Sequence, residues 1–123
     1  MIDLAAYRRF FAEEIEAVAR LQTRALVDAL AAVARENFPR AGPWTVVAEA
    51  DVLAGGGLRT VLTPDADPRR VYHNIGVAID PSRQLFNGQP GTLAAWIDAL
   101  VLTPGARVLH VGCGLGYYTA VLA

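Results

Sequence analysis

The strongest constraint on this 123-residue chain lies near its end. There the sequence runs Arg107-Val108-Leu109-His110-Val111, then Gly112-Cys113-Gly114-Leu115-Gly116, then Tyr117-Tyr118-Thr119-Ala120-Val121-Leu122-Ala123. A short apolar, strand-compatible run enters alternating glycines and leaves as a helix-compatible segment. Glycine lets a backbone turn tightly and approach a ligand closely. The dinucleotide fingerprint Gly-x-Gly-x-x-Gly fits in neither register. Counted from Gly112, the third glycine falls on Tyr117; counted from Gly114, it falls on Thr119. A nicotinamide- or flavin-dependent oxidoreductase is therefore disfavoured.

Upstream, Leu4, Tyr7, Phe11, Ile15, Val18 and Leu21 recur at helical spacing, and Asp3 can cap the start. The pattern predicts a helix over 3–21 and a second over about 24–36, or one helix bent near Gln22, stopped by Pro39, Gly42 and Pro43. Trp44–Ala48 and Leu58–Leu62 read as short strands, with Gly55-Gly56-Gly57 as a turn between them. Asp65 and Asp67, among prolines, read as turn residues, and Arg69-Arg70 as a solvated pair. An apolar run from Val71 to Ile79 enters a polar loop, Asp80 to Gly91. Thr92 is the expected cap of a helix carrying Leu93, Trp96, Ile97, Leu100 and Val101.

Composition removes several classes. Eleven basic residues, all arginine, stand against twelve acidic ones, for a net charge of −1. That leaves no bulk electrostatic case for nucleic acid or an anionic membrane. With no lysine, a Walker-type phosphate loop and a Schiff-base enzyme are excluded. The single cysteine, Cys113, cannot form an internal disulfide. The start, Met1-Ile2-Asp3-Leu4, lacks the pattern of a secretory signal, and the apolar stretch Ala29–Ala34 is far short of a membrane span. A cytoplasmic protein is the expectation. His73, His110 and Cys113 are too few and too dispersed for a structural zinc site, so no metal is expected.

The spacing Gly-x-Gly-x-Gly after a strand resembles motif I of the S-adenosylmethionine-dependent methyltransferases. The phrase PGARVLHVGCGLGYYTAVLA, residues 104–123, is similar to the motif I region of the protein-L-isoaspartate O-methyltransferase family, typically VLEIGTGSGYxTAVLA. Gln89-Pro90 resembles that family's Ser-Gln-Pro segment beside the cofactor. Tyr72 with Asn74 resembles its Ala-Tyr-x-Asp stretch, and Arg35-Glu36-Asn37-Phe38 its N-terminal region more loosely. Three departures stand out. Gly88 occupies the serine's place, His110 that of an acidic residue in the strand, and Asp80-Pro81-Ser82-Arg83 lengthens a loop.

The resemblance implies an α/β fold: an N-terminal helical and irregular region over 1–70, and the start of a Rossmann-like methyltransferase sheet over 71–123. It implies a single incomplete domain, an N-terminal fragment inactive alone, because the acid that grips the ribose hydroxyls belongs about 20 residues past the loop. The implied cofactor is S-adenosyl-L-methionine, bordered by Gly112, Cys113, Gly114, Leu115, Gly116, His110, Asn87 and Gln89. The implied acceptor is a carboxylate-bearing peptide or small molecule, with no nucleic-acid or membrane partner. The alternatives are a methyltransferase for another carboxylate or small molecule, and a non-catalytic fragment. No catalytic residue is assigned.

Several of these residues carry a second reading. His110 is either a hydrogen-bonded core histidine or the replacement for the family's acid beside the cofactor. Cys113 is a small packing residue or a nucleophile. Tyr117 and Tyr118 pack, or stack on a ligand; Asn87 and Gln89 shape a loop, or present polar groups to the site. Strand Val108–Val111, without its usual flanking strands, is expected to expose edges and apolar surface and to drive self-association.

Overall fold

Asp3 starts the first helix as its sequence position demands. Its carboxylate accepts the amides of Ala5 (3.0 Å) and Ala6 (3.2 Å), satisfying two donors that the helix itself leaves unpaired. Helix α1 spans Leu4–Ala19 and ends where Arg20 turns left-handed, φ 54°. Two helices therefore form rather than one, with α2 spanning Arg24–Ala32. Phe11, Ala12 and Ile15 of α1 share a core with Leu26, Val27 and Leu30 of α2. The structure is a computed structural model and describes every residue except Ile2 and Gly56. The proposed turn at Gly55–Gly57 thus lies in part outside the described residues.

Helix α2 stops four residues before the expected end. Val33 is extended, φ −76° and ψ 123°, and Arg35–Asn37 forms a single 3-10 turn. That change of direction sends Arg35 into the interior, where it is 1% exposed. Thr23 makes no side-chain cap for α2. The carboxylate of Asp98 does so instead, accepting the amides of Gln22 (3.0 Å) and Thr23 (2.9 Å) from a distant helix.

Four short strands make one antiparallel sheet in the order β2-β1-β3-β4. They are β1, Thr45–Val47; β2, Val61–Leu62; β3, Gly76–Asp80; and β4, Leu85–Phe86. Val46 pairs with Val61 on one side and Val77 on the other. Each strand is shorter than its apolar run. The run from Val71 begins as the end of a 3-10 turn, Pro68–Val71, and extends only at Gly76. The expected loop 80–91 folds back instead, through a 3-10 turn at Pro81–Arg83 into β4, with a register shift between Ala78 and Asp80. A five-residue helix α3, Glu49–Leu53, was not foreseen; Asp51 accepts the Ala48 amide at its start. Asp67 caps the 3-10 turn at Arg69, and Asp65 accepts the Asp67 amide, as turn residues do.

Helix α4 spans Pro90–Ala99, and Pro90 rather than Thr92 marks its start. Proline suits a first helical turn because it has no amide to satisfy there. The buried face of α4 is Pro90, Gly91 and Ala94, so Trp96, Leu100 and Val101 face outward. Helix α5, Tyr117–Leu122, buries Tyr117, Tyr118 and Val121.

The mixed α/β class holds, with one correction inside it. Val108–Val111 makes no strand. A strand exists only when its amides and carbonyls pair with a neighbour, and among the described residues no strand pairs with this segment. Its apolar side chains are accordingly exposed, Leu109 by 87% and Val111 by 82%. Among the described residues no helix is long and apolar enough to cross a membrane.

Asp98 titrates below its ordinary value of 3.8 because Thr23 and then Gln22 donate to its charged form. Its folded value is depressed, so its contribution is full above the unfolded value and is lost as pH falls through the folded one. Asp98→Asn is expected to lower the melting temperature at pH 7. The gap to the parent should close as the pH drops below 3.8, read by thermal circular dichroism.

Candidate functional site

The glycine loop is held from beneath and from the side. The amide of Gly116 donates to the Cys113 carbonyl (3.0 Å), closing a turn ahead of α5. The His110 Nδ1 and Thr119 Oγ1 atoms lie 2.8 Å apart, which ties the approach to the loop onto α5. Tyr118, buried under the loop, donates its hydroxyl to the Gly88 carbonyl (3.4 Å). Burial pushes the Tyr118 phenol up to about 12, so it stays protonated at neutral pH.

The β3–β4 hairpin lies over this loop. The amide of Asn87 donates to the Val77 carbonyl (2.8 Å), which extends the hairpin by one residue. The result is a cleft of about 80 Å³ between Ile79, Phe86, Asn87, Leu93, His110, Gly112, Cys113, Gly114 and Tyr118. Small-molecule sites usually enclose about 300–1,000 Å³, so this cleft by itself is too small to enclose one. A larger concavity of about 730 Å³ lies between α2, α4, α5 and the 102–113 segment. It shares His110 and Cys113 with the smaller cleft.

The expected site residues fare differently. Gly112, Gly114, His110 and Asn87 meet at the cleft, and Cys113 lines it while remaining exposed. Cys113 is thus no packing residue, and His110, half-buried, is no core histidine. Gly116 starts α5, and Leu115 beside it is half-buried outside the cleft lining. The Gln89 side chain turns away from the loop and donates to the Asn74 carbonyl (3.4 Å). Tyr117 and Tyr118 both pack. Among the described residues no group of three His, Cys, Asp or Glu side chains converges.

Asn74 does not line the cleft but braces the start of α4 beside it. Its Oδ1 accepts the Gly91 amide (2.7 Å) at the start of α4, and the signal was present in the Tyr72-x-Asn74 match. Arg69 and Arg70 are each paired, with Asp67 (2.5 Å) and Asp65 (2.8 Å). The bond to Arg70 holds the Asp65 carboxyl down at about 2.

Gly88 stands where the resemblance expects serine, for a local reason. Its φ is +84°, and a Cβ there would lie 2.7 Å from Leu93 Cδ2. The hairpin returns to α4 through a position that a side chain would block. Gly112 and Gly116 also have positive φ, but a Cβ on either would meet open space. Open space in front of loop glycines is what a ligand approaching the backbone requires.

A glycine loop here feeds a helix packed into the core, with a hairpin laid across it, in a mixed α/β protein. The family model described as Protein-L-isoaspartate(D-aspartate) O-methyltransferase (PCMT) matches residues 58–123. The chain belongs to this family. It is 34% identical over 111 residues to a protein-L-isoaspartate O-methyltransferase of Methylorubrum extorquens (strain PA1), covering 89% of this chain and 37% of that one. It is 34% identical over 65 residues to a protein of the same name in Cronobacter sakazakii (strain ATCC BAA-894), covering 53% of this chain and 30% of that one. The chain thus spans about a third of the length of the curated relatives it matches. No solved structure matches it.

Gly112 and Gly114 differ in what surrounds them. Both have positive φ, but a Cβ at Gly114 would lie 2.9 Å from Ile79 Cδ1. Left-handed strain alone costs about 1–2 kcal/mol per non-glycine residue. Gly112→Ala should show that loss in urea unfolding, and Gly114→Ala a larger one. In an Ile79→Ala background the two should become equal; if they are already equal in the parent, the hairpin does not press on the loop.

Proposed function

We propose that the protein carrying this chain transfers a methyl group from S-adenosyl-L-methionine to a carboxylate, with an isoaspartyl peptide as the leading acceptor. One observation carries this reading. The hairpin brings Asn87 over Gly114, so a family-matched glycine loop and a polar side chain share one cleft. Region 1–70 supports the cleft, and region 71–123 lines it.

The glycine loop fits the cofactor, because Gly112 and Gly116 leave free room above the backbone. When bound, the cofactor supplies a methyl group on a cationic sulfonium. Gly112, Cys113, Gly114, Leu115 and Gly116 border it through their backbone. His110, oriented by Thr119, stands at its edge in place of the family's acid. Asn87 offers its amide from the hairpin, and Gln89 acts at one remove by holding Asn74. Ile79, Phe86 and Leu93 keep water from the cleft.

No general base is needed. A carboxylate has an ordinary pKa of about 4 and is already ionised at pH 7. Rate enhancement then rests on aligning nucleophile, methyl and sulfur, and on excluding water. A second reading, another carboxylate or a small-molecule acceptor, draws on Gly88, which removes the hydroxyl the resemblance expects at the acceptor edge. The same proposal places the protein in the cytoplasm, without nucleic-acid or membrane partners, in keeping with its net charge of −1. The 123-residue chain alone is proposed to be inactive and to self-associate through Trp96, Leu100, Leu109 and Val111, which are exposed.

The test uses the protein as its gene encodes it. Calorimetry with S-adenosylmethionine should show one site, weakened about tenfold by His110→Ala. Mass spectrometry should show one methyl group added to an isoaspartyl peptide and none to its aspartyl isomer. Cofactor binding without peptide methylation would favour the second acceptor class; absence of cofactor binding would end the methyltransferase reading.

A further inference from the structure

Arg35 is a buried cation that the cleft does not touch. Its Nη1 donates to the carbonyls of Val71 (2.5 Å) and His73 (3.0 Å), and its Nη2 to that of Ile75 (2.8 Å). Among the described residues no carboxylate pairs with it. Its guanidinium carbon lies 5.5 Å from the ring centre of Phe11 and 5.7 Å from that of Tyr117. A planar cation can bind carbonyls at its edge and aromatic rings at its faces together.

Those contacts bear on two elements that each send a side chain to the cleft, α4 through Leu93 and α5 through Tyr118. The three carbonyls belong to the segment that presents Asn74, and Asn74 holds the Gly91 amide and receives Gln89. Tyr117 is the first residue of α5, directly after the glycine loop. We propose that Arg35 is a positioning residue that fixes the distance between the Asn74–Gly91 clasp and the glycine-loop helix. This rests on the function proposed above. The fork of donors is what the role demands: lysine keeps the charge and three donors, but its compact ammonium lacks the planar spread that reaches carbonyls of three residues from between two rings.

The experiment compares Arg35→Lys and Asn74→Ala with the parent, in the protein as its gene encodes it. Hydrogen exchange at the Gly91 amide reports the clasp, and exchange at the Ile15 amide reports the core. Arg35→Lys should speed Gly91 exchange about tenfold while Ile15 changes by less than about twofold. It should weaken S-adenosylmethionine binding about tenfold. Asn74→Ala should do the same, and the double variant should be no worse than either single one. Unchanged Gly91 exchange in a folded Arg35→Lys protein, or an equal rise at Gly91 and Ile15, overturns the proposal. If Arg35→Lys does not fold, unchanged cofactor affinity in Asn74→Ala overturns it. A parent that binds no S-adenosylmethionine defeats the proposed function, while Gly91 exchange still decides the role of Arg35.

Discussion

A charged group removed from water must find replacements for its hydration, and Arg35 finds them in three backbone carbonyls and two aromatic faces. Each buried carbonyl left without a donor costs about 1–3 kcal/mol. The segment from Val71 to Ile75 has little regular structure of its own, so its polar backbone leans on this one side chain. Beside it, Tyr72 donates its hydroxyl to Glu36 and accepts from Arg8 Nε (3.2 Å) and the Arg35 amide (3.1 Å). Burial and the bond to Glu36 raise the Tyr72 phenol to about 12, so the network keeps its proton. Helix α1, the 3-10 turn after α2 and the segment before β3 are thereby joined through polar contacts that tolerate little misplacement.

The cleft inherits its geometry from that junction. Behind its lining, Asn74 braces the start of α4, which carries Leu93, and Tyr117 anchors α5, which carries Tyr118. The hairpin closes over both, because its turn at Gly88 admits no side chain against Leu93. Trp96, Leu100, Leu109 and Val111 remain exposed apolar side chains outside the cleft. The chain spans about a third of its curated relatives' length, and exposed apolar side chains of this kind are poorly suited to water.

The helices were legible because their signals are local. Asp3 caps α1, and Phe11, Ile15, Leu26, Val27 and Leu30 bury the faces their spacing marks. The glycine loop was legible for the same reason, since its chemistry needs residues adjacent in sequence. Strand lengths were harder, because an apolar run such as Val71–Ile79 states burial but not where pairing begins. The Val108–Val111 run shows the limit: it has strand composition and no partner, and so no strand.

Sequence by itself determined a mixed α/β chain with a glycine loop between an apolar run and a helix, and pointed to the family the chain belongs to. Only tertiary structure decided that Asp98 caps a helix some 75 residues away, that Asn74 rather than the loop engages Gln89, and that Arg35 lies inside. Helix caps, turns and glycine spacing are written within a few residues of where they act. A buried cation or a clasp depends on which distant carbonyls the fold brings within 3 Å, and no periodicity encodes that.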